Sequence, residues 1–116
     1  MAWLGRDGKV LATLEVANAW RARSRGLLGR DGFEGALLLR PARSVHTIRM
    51  RFPIDVAFLD RSLEVVKVLH LPPNRVTLPV LRSKAVLEAE AGAFAAWELR
   101  PGDQLEVRGD DVEAGG

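Results

Sequence analysis

The chain has 116 residues, 47% of them apolar, which suits one domain with its own core and argues against disorder. It contains no cysteine, so disulfides, thiolate metal sites and a cysteine nucleophile are excluded. Net charge is only +2 despite a pI near 9.7, because 14 of the 17 basic residues are Arg; this is far below the charge density of a dedicated nucleic-acid binder.

Reading from the N-terminus, GRDGK (5–9) predicts a hairpin, since Asp7-Gly8 suits a tight turn with positive φ. Val10, Ala12, Leu14 and Val16 then alternate with Leu11, Thr13 and Glu15, which predicts a strand. Over 18–30 the period changes. Ala17, Trp20, Ser24, Leu27 and Leu28 share a helical face, Asn18 can cap it and Gly29 can stop it. Gly26 weakens that helix, or marks a close contact or a break. ALLL (36–39) reads as a buried strand and RPARS (40–44) as a loop. Residues 54–60 form a strand with Ile54, Val56 and Phe58 on one face and Asp55, Ala57 and Leu59 on the other. DRS (60–62) turns it back into a partner strand over 63–71. Pro72, Pro73 and Pro79 mark an irregular connection. KAVLEA (84–89) is a strand, GAFAAWEL (92–99) a short helix ended by Pro101, and GDQLEV (102–107) a turn with a last strand. Residues 109–116 read as a frayed acidic tail on a single domain over 1–108.

The expected fold is mainly β: an antiparallel barrel-like or sandwich-like sheet with two short helices. No stretch reaches about 18 uncharged apolar residues, and charges appear early, so neither a membrane span nor a signal peptide is expected. A cytoplasmic location is the expectation. Asn, Gln and Cys are scarce, a composition compatible with a thermophilic source or with a GC-rich genome.

RGLLGR (25–30), FPIDVAFLD (52–60), AVLEAEAG (85–92) and RPGDQLEV (100–107), in that order, resemble the domain-of-unknown-function family 192. The resemblance covers roughly residues 9–107 and implies a compact β-rich domain of bacterial and archaeal type. It implies no activity, since none is established for the family. Many members carry an export or lipoprotein signal ahead of the domain; none is read here. Many members also carry a Trp-Met pair eight or nine residues before the motif Asp. Here that place holds His46-Thr47, so the chain looks like a His-Thr variant, and no role of the Trp-Met form carries over.

Asp55 starts a strand that is apolar on both faces, and a buried carboxylate must be paired or hydrogen-bonded. The expected partner is an arginine, from Arg49 or Arg51 nearby or from Arg25 or Arg30 on the helix; the plainer alternative is that Asp55 orders the loop through backbone N–H groups. Four arginines and Asp55 beside His46 and Thr47 suggest an anion pocket, because guanidinium forks match carboxylate and phosphate. The candidate ligand-binding residues are therefore Arg25, Arg30, His46, Thr47, Arg51 and Asp55, and the expected partner is a small anion such as a carboxylate or sugar derivative. No metal, cofactor, membrane or nucleic-acid partner is expected. An alternative is a hydrolase using His46 as base with Asp55, which requires the two to meet. A weaker one is a nucleic-acid binder acting through the Arg-rich half: residues 1–58 carry +5 and residues 59–116 carry −3. Glu88 is expected to face solvent opposite Val86, the alternative being a second acid facing the Asp55 pocket, and the three tryptophans are expected to anchor the core.

Overall fold

The computed structural model describes residues 2–17 and 34–109. The elements are β1 (Ala2–Arg6), β2 (Lys9–Ala17), β3 (Ala36–Leu39), β4 (Ile54–Leu59), β5 (Val65–Leu71), β6 (Ala85–Glu90), α1 (Ala93–Trp97) and β7 (Glu106–Gly109). All seven strands join one sheet in the order β5-β4-β6-β3-β2-β1-β7.

The first hairpin turns where expected. Asp7 and Gly8 take φ of 54° and 78°, the left-handed pair that lets a two-residue turn follow the strand twist. One detail departs from simple alternation. Leu4 pairs with Ala12 and Gly5 with Val10, leaving Leu11 as a bulge. The bulge puts Val10 on the face opposite Leu14, so Leu14 is buried while Val10 is exposed; Val16, on the same side as Leu14, is exposed near the end of the strand. Parallel pairing of β2 with β3 makes the sheet mixed rather than antiparallel throughout. Gly35 leads into β3 at φ +81°, and a Cβ there would meet the Thr13 carbonyl oxygen at 2.9 Å. Only glycine tolerates both that conformation and that approach.

The middle of the sheet is buried on both sides. β3 and β4 have no exposed residue, and β6 has only Glu90. Ala57 and Leu59 belong to the cluster on the first face, with Leu4, Leu38, Leu87, Phe94 and Leu105. Ile54, Val56 and Phe58 belong to the cluster on the second, with Leu37, Leu39 and Val86. α1 contributes Phe94 to the first cluster, while the loop over 40–53 sends Val45 and Met50 into the second.

The sheet does not close into a barrel. Its end strands β5 and β7 share no ladder. The segments beside them touch through the Glu64–Gln104 bridge and bonds such as Val65 N–H to Asp103 O at 2.8 Å. Among the described residues, β5 beyond Val65 pairs only with β4, and its other edge is unpaired. The described residues hold one short helix, α1; the helix expected over 18–30 lies outside them, as does most of the acidic tail. Trp97 is partly buried against Phe94, with ring centroids 5.6 Å apart. Trp3 is an exposed residue of β1 rather than a core anchor, and Trp20 lies outside the described residues.

Candidate functional site

Strand alternation places Asp55 on the first face of β4, the side that meets α1, because its neighbours Ile54 and Val56 fill the second. Its side chain is tightly held. Oδ2 accepts the backbone N–H of Gly92 at 3.0 Å and of Phe94 at 3.1 Å. Oδ1 lies 3.1 Å from Nδ1 of His70, which is directly across the β4–β5 ladder. A carboxylate can only accept, so the imidazole proton on Nδ1 points at Asp55 and Nε2 is left outward. The aspartate is 6% exposed, whereas the His70 side chain is 58% exposed. A buried acid therefore fixes the ring of a histidine that solvent and solutes can reach.

The pair opens into a groove of about 650 Å³ along the unpaired edge of β5. Val68 and His70 form one wall, and Phe94, Glu98, Leu99 and Arg100 the other. The second wall is braced from behind. Arg6 donates to Asp103 Oδ2 at 2.9 Å and to the Trp97 carbonyl at 2.6 Å, and Asp103 Oδ2 accepts the Arg100 N–H at 3.0 Å. The Arg100 side chain is thus set on a rigid turn. Among the described residues no Ser, Thr or Cys lines this groove, and no group of three metal-ligating side chains occurs.

The six candidates from the sequence do not converge. Asp55 is in the groove. Thr47 is fully buried and serves as a latch: its hydroxyl donates to Pro72 O at 2.7 Å and accepts the Arg75 N–H at 2.9 Å. His46 bridges Val76 through its backbone, and its buried Nδ1 has no hydrogen-bond partner among the described residues. Arg51 is exposed in the loop whose Val45 and Met50 cover the second face. Arg25 and Arg30 lie outside the described residues. The reason for the separation is the period of two: the loop lies over one face of β4 while Asp55 projects from the other. Asp55 takes His70, not Arg49 or Arg51, as its side-chain partner among the described residues, and His46 is not part of that contact. Backbone N–H groups do hold it, but they come from the turn into α1 rather than from the loop before β4.

Glu88 is a second correction. Residues two apart on a strand share a face, so Glu88 goes inward with Val86. It pairs with Val56 and Leu37 across its two neighbouring strands, is 6% exposed, and finds no hydrogen bond or ion pair among the described residues. Burial pushes its carboxyl up to about 7.

His70, Arg100 and Phe94 are the site residues that sequence reading misses. The hairpin itself was readable, but its register was not. Leu59 pairs with Val65 whereas Phe58 pairs with Lys67, so a bulge shifts the ladder by one residue. Extrapolating from the turn without it puts Leu69, not His70, opposite Asp55.

Comparison with known proteins gives the same picture of a β-rich fold without assigned chemistry. A family model, DUF192, described as Uncharacterized ACR, matches residues 2–107. A UPF0127 protein of Pyrococcus furiosus is 40% identical over 63 residues, covering 54% of each chain, so the match spans about half the length of that relative. A crystal structure of a protein of unknown function from Novosphingobium aromaticivorans superposes with a TM-score of 0.74 at 22% identity, covering 90% of this chain and 82% of that one. A Sinorhizobium meliloti protein, proposed to be a transcription regulator, reaches 0.76 at 20% identity with 91% of both chains covered. At these identities the two structures speak for the fold alone.

Proposed function

The chain belongs to the DUF192 family, and we propose that it is a non-catalytic binding module for a small carboxylate that also bears a hydroxyl or amino group. The observation carrying this reading is the Asp55-anchored His70 at the mouth of the groove, facing a braced Arg100. Arg100 supplies the cation for a carboxylate. Nε2 of His70, in the tautomer that carries the ring proton on Nδ1, and the Glu98 carboxylate supply acceptors for a donor group on the same ligand. Phe94, Leu99 and Val68 supply the apolar wall that most small-molecule sites need. Glu98 also reduces the positive potential of the groove, so recognition rests on directed contacts rather than on net charge.

The Asp55–His70 geometry favours one second reading, a hydrolase in which His70 rather than His46 is the base. A buried acid orienting Nδ1 is what such a base needs. Binding is preferred because no side-chain nucleophile among the described residues lines the groove.

A thermal-shift screen of hydroxy and amino carboxylates tests the proposal. A ligand at about 100 times its dissociation constant adds about 2.7 kcal/mol, a clear rise in melting temperature. The rise is expected to vanish in Arg100→Ala and to shrink in His70→Ala, with the ligand-free stability of Arg100→Ala unchanged. A screen with no hit, or a hit that survives both substitutions, overturns the reading.

A further inference from the structure

The segments 43–49 and 74–80 lie together, and 75–80 borders a second hollow that shares Leu69 and His70 with the Asp55 groove. Val45 O accepts the Thr77 N–H at 2.9 Å, Arg43 O the Val80 N–H at 2.8 Å, and Thr47 O the Asn74 N–H at 2.8 Å. This lacing holds an unusual surface outward. Leu78 is 85% exposed, Leu81 78% and Val76 68%. Ile48, also exposed, sits on the facing segment. Large apolar side chains grouped this way mark a contact surface rather than chance exposure.

The charges around them are mainly basic. Residues 35–54 contain four basic residues and no acid, and residues 65–87 again four and none. Arg43, Arg49 and Arg75 are exposed and have no acidic partner among the described residues. Arg82 reaches only Asp60 among the described residues, at 4.0 Å. A second copy docking through the same face would bring two cationic surfaces together, which opposes self-association. The complement is an anionic surface that also accepts leucine side chains.

We infer that the leucine-tipped, Arg-flanked 75–82 segment, with 43–49, is a docking face for the headgroup region of an anionic phospholipid bilayer. Leu78 and Leu81 enter the acyl boundary, and the arginines snorkel to the phosphates. No helix among the described residues is long and apolar enough to cross a membrane; a surface contact needs none.

Vesicle flotation of the full chain tests this, using phosphatidylcholine alone against vesicles with about one-third phosphatidylglycerol at low salt. The wild type is expected to float with the anionic vesicles and to bind neutral ones at least about tenfold more weakly. Leu78→Ser with Leu81→Ser, and separately Arg75→Glu with Arg82→Glu, should each weaken binding about tenfold or more with melting temperature unchanged. Val10→Ser, at an exposed apolar position on β2, should leave it intact. Failure of the wild type to float overturns the inference. So does a leucine double variant that floats like the wild type, which would leave only charge adsorption. Sedimentation velocity supplies the third arm: a dimer abolished by the leucine substitutions would assign the face to a second copy instead.

Discussion

Asp55 and Glu88 stand one register step apart on neighbouring strands and are equally buried, at 6% exposure each. They project from opposite faces of the sheet and have opposite fates. Asp55 receives two backbone N–H groups and an imidazole. Glu88 receives nothing from the described residues and sits among Leu37, Val56 and Val86. The contrast separates burial from satisfaction. A carboxylate with three donors is a structural tie, while the same group without them takes up a proton near neutrality.

The largest effect is expected at the tie. Asp55→Ala strands the Gly92 and Phe94 N–H groups beside a cavity, and each lost acceptor costs about 1–3 kcal/mol. A total loss of about 4 kcal/mol is expected from urea unfolding with the m-value preserved. Asp55→Asn sharpens the reading. Both N–H groups bind the same oxygen, Oδ2, so one amide oxygen can serve them and His70 can change tautomer. Asn should therefore cost about half as much as Ala. Equal losses from Asn and Ala would mean that the negative charge, not the hydrogen bonds, holds α1 to β4.

Glu88 should show the reverse dependence, and only at high pH. Its folded pKa is about 7 against 4.5 for the free group, so folding favours the protonated form. That contribution is complete below 4.5 and is lost as pH rises through 7. Glu88→Gln keeps a neutral side chain at all pH. It should match the wild type near pH 4.5 and exceed it by up to about 3 kcal/mol at about pH 9, from the same shift. Stability curves that stay parallel across this range would show that Glu88 ionises as freely folded as unfolded.

Much of this was legible in the sequence, and the failures have physical reasons. Asp7-Gly8 announced its turn, and the alternation over 54–59 assigned both core faces. Bulges then hid two things: the exposure of Val10 and the pairing of Asp55 with His70. A strand pattern tells which residues share a side but not where a ladder slips. Proximity in the chain misled in the other direction. Arg49 and Arg51 are close to Asp55 along the sequence, yet the sheet lies between their loop and its carboxylate. Mixed pairing and the open edge of β5 were unreadable because they depend on where the chain returns after β2. That return is not encoded in any local period.

Thr47 gives the smallest and most discriminating test. It belongs to the loop over the Glu88 face, but it is satisfied like Asp55: its hydroxyl donates to Pro72 O and accepts from Arg75 N–H. If satisfaction decides the role of a buried polar group, Thr47→Val should destabilise although its shape is kept. The change removes one good donor and one good acceptor and leaves the Pro72 carbonyl and the Arg75 N–H without these part-buried bonds, for a loss of up to about 2 kcal/mol. It should be independent of pH, unlike the effect at Glu88, since no titratable group takes part. The loss should also appear locally. Amide exchange at Arg75 and Thr77 should accelerate before that of β4, because the latch joins the two segments and the ladder of β4 does not depend on it. A valine variant as stable as the wild type would show that the surrounding backbone bonds alone hold the loop. The contrast between the two carboxylates would then rest on charge rather than on hydrogen bonding.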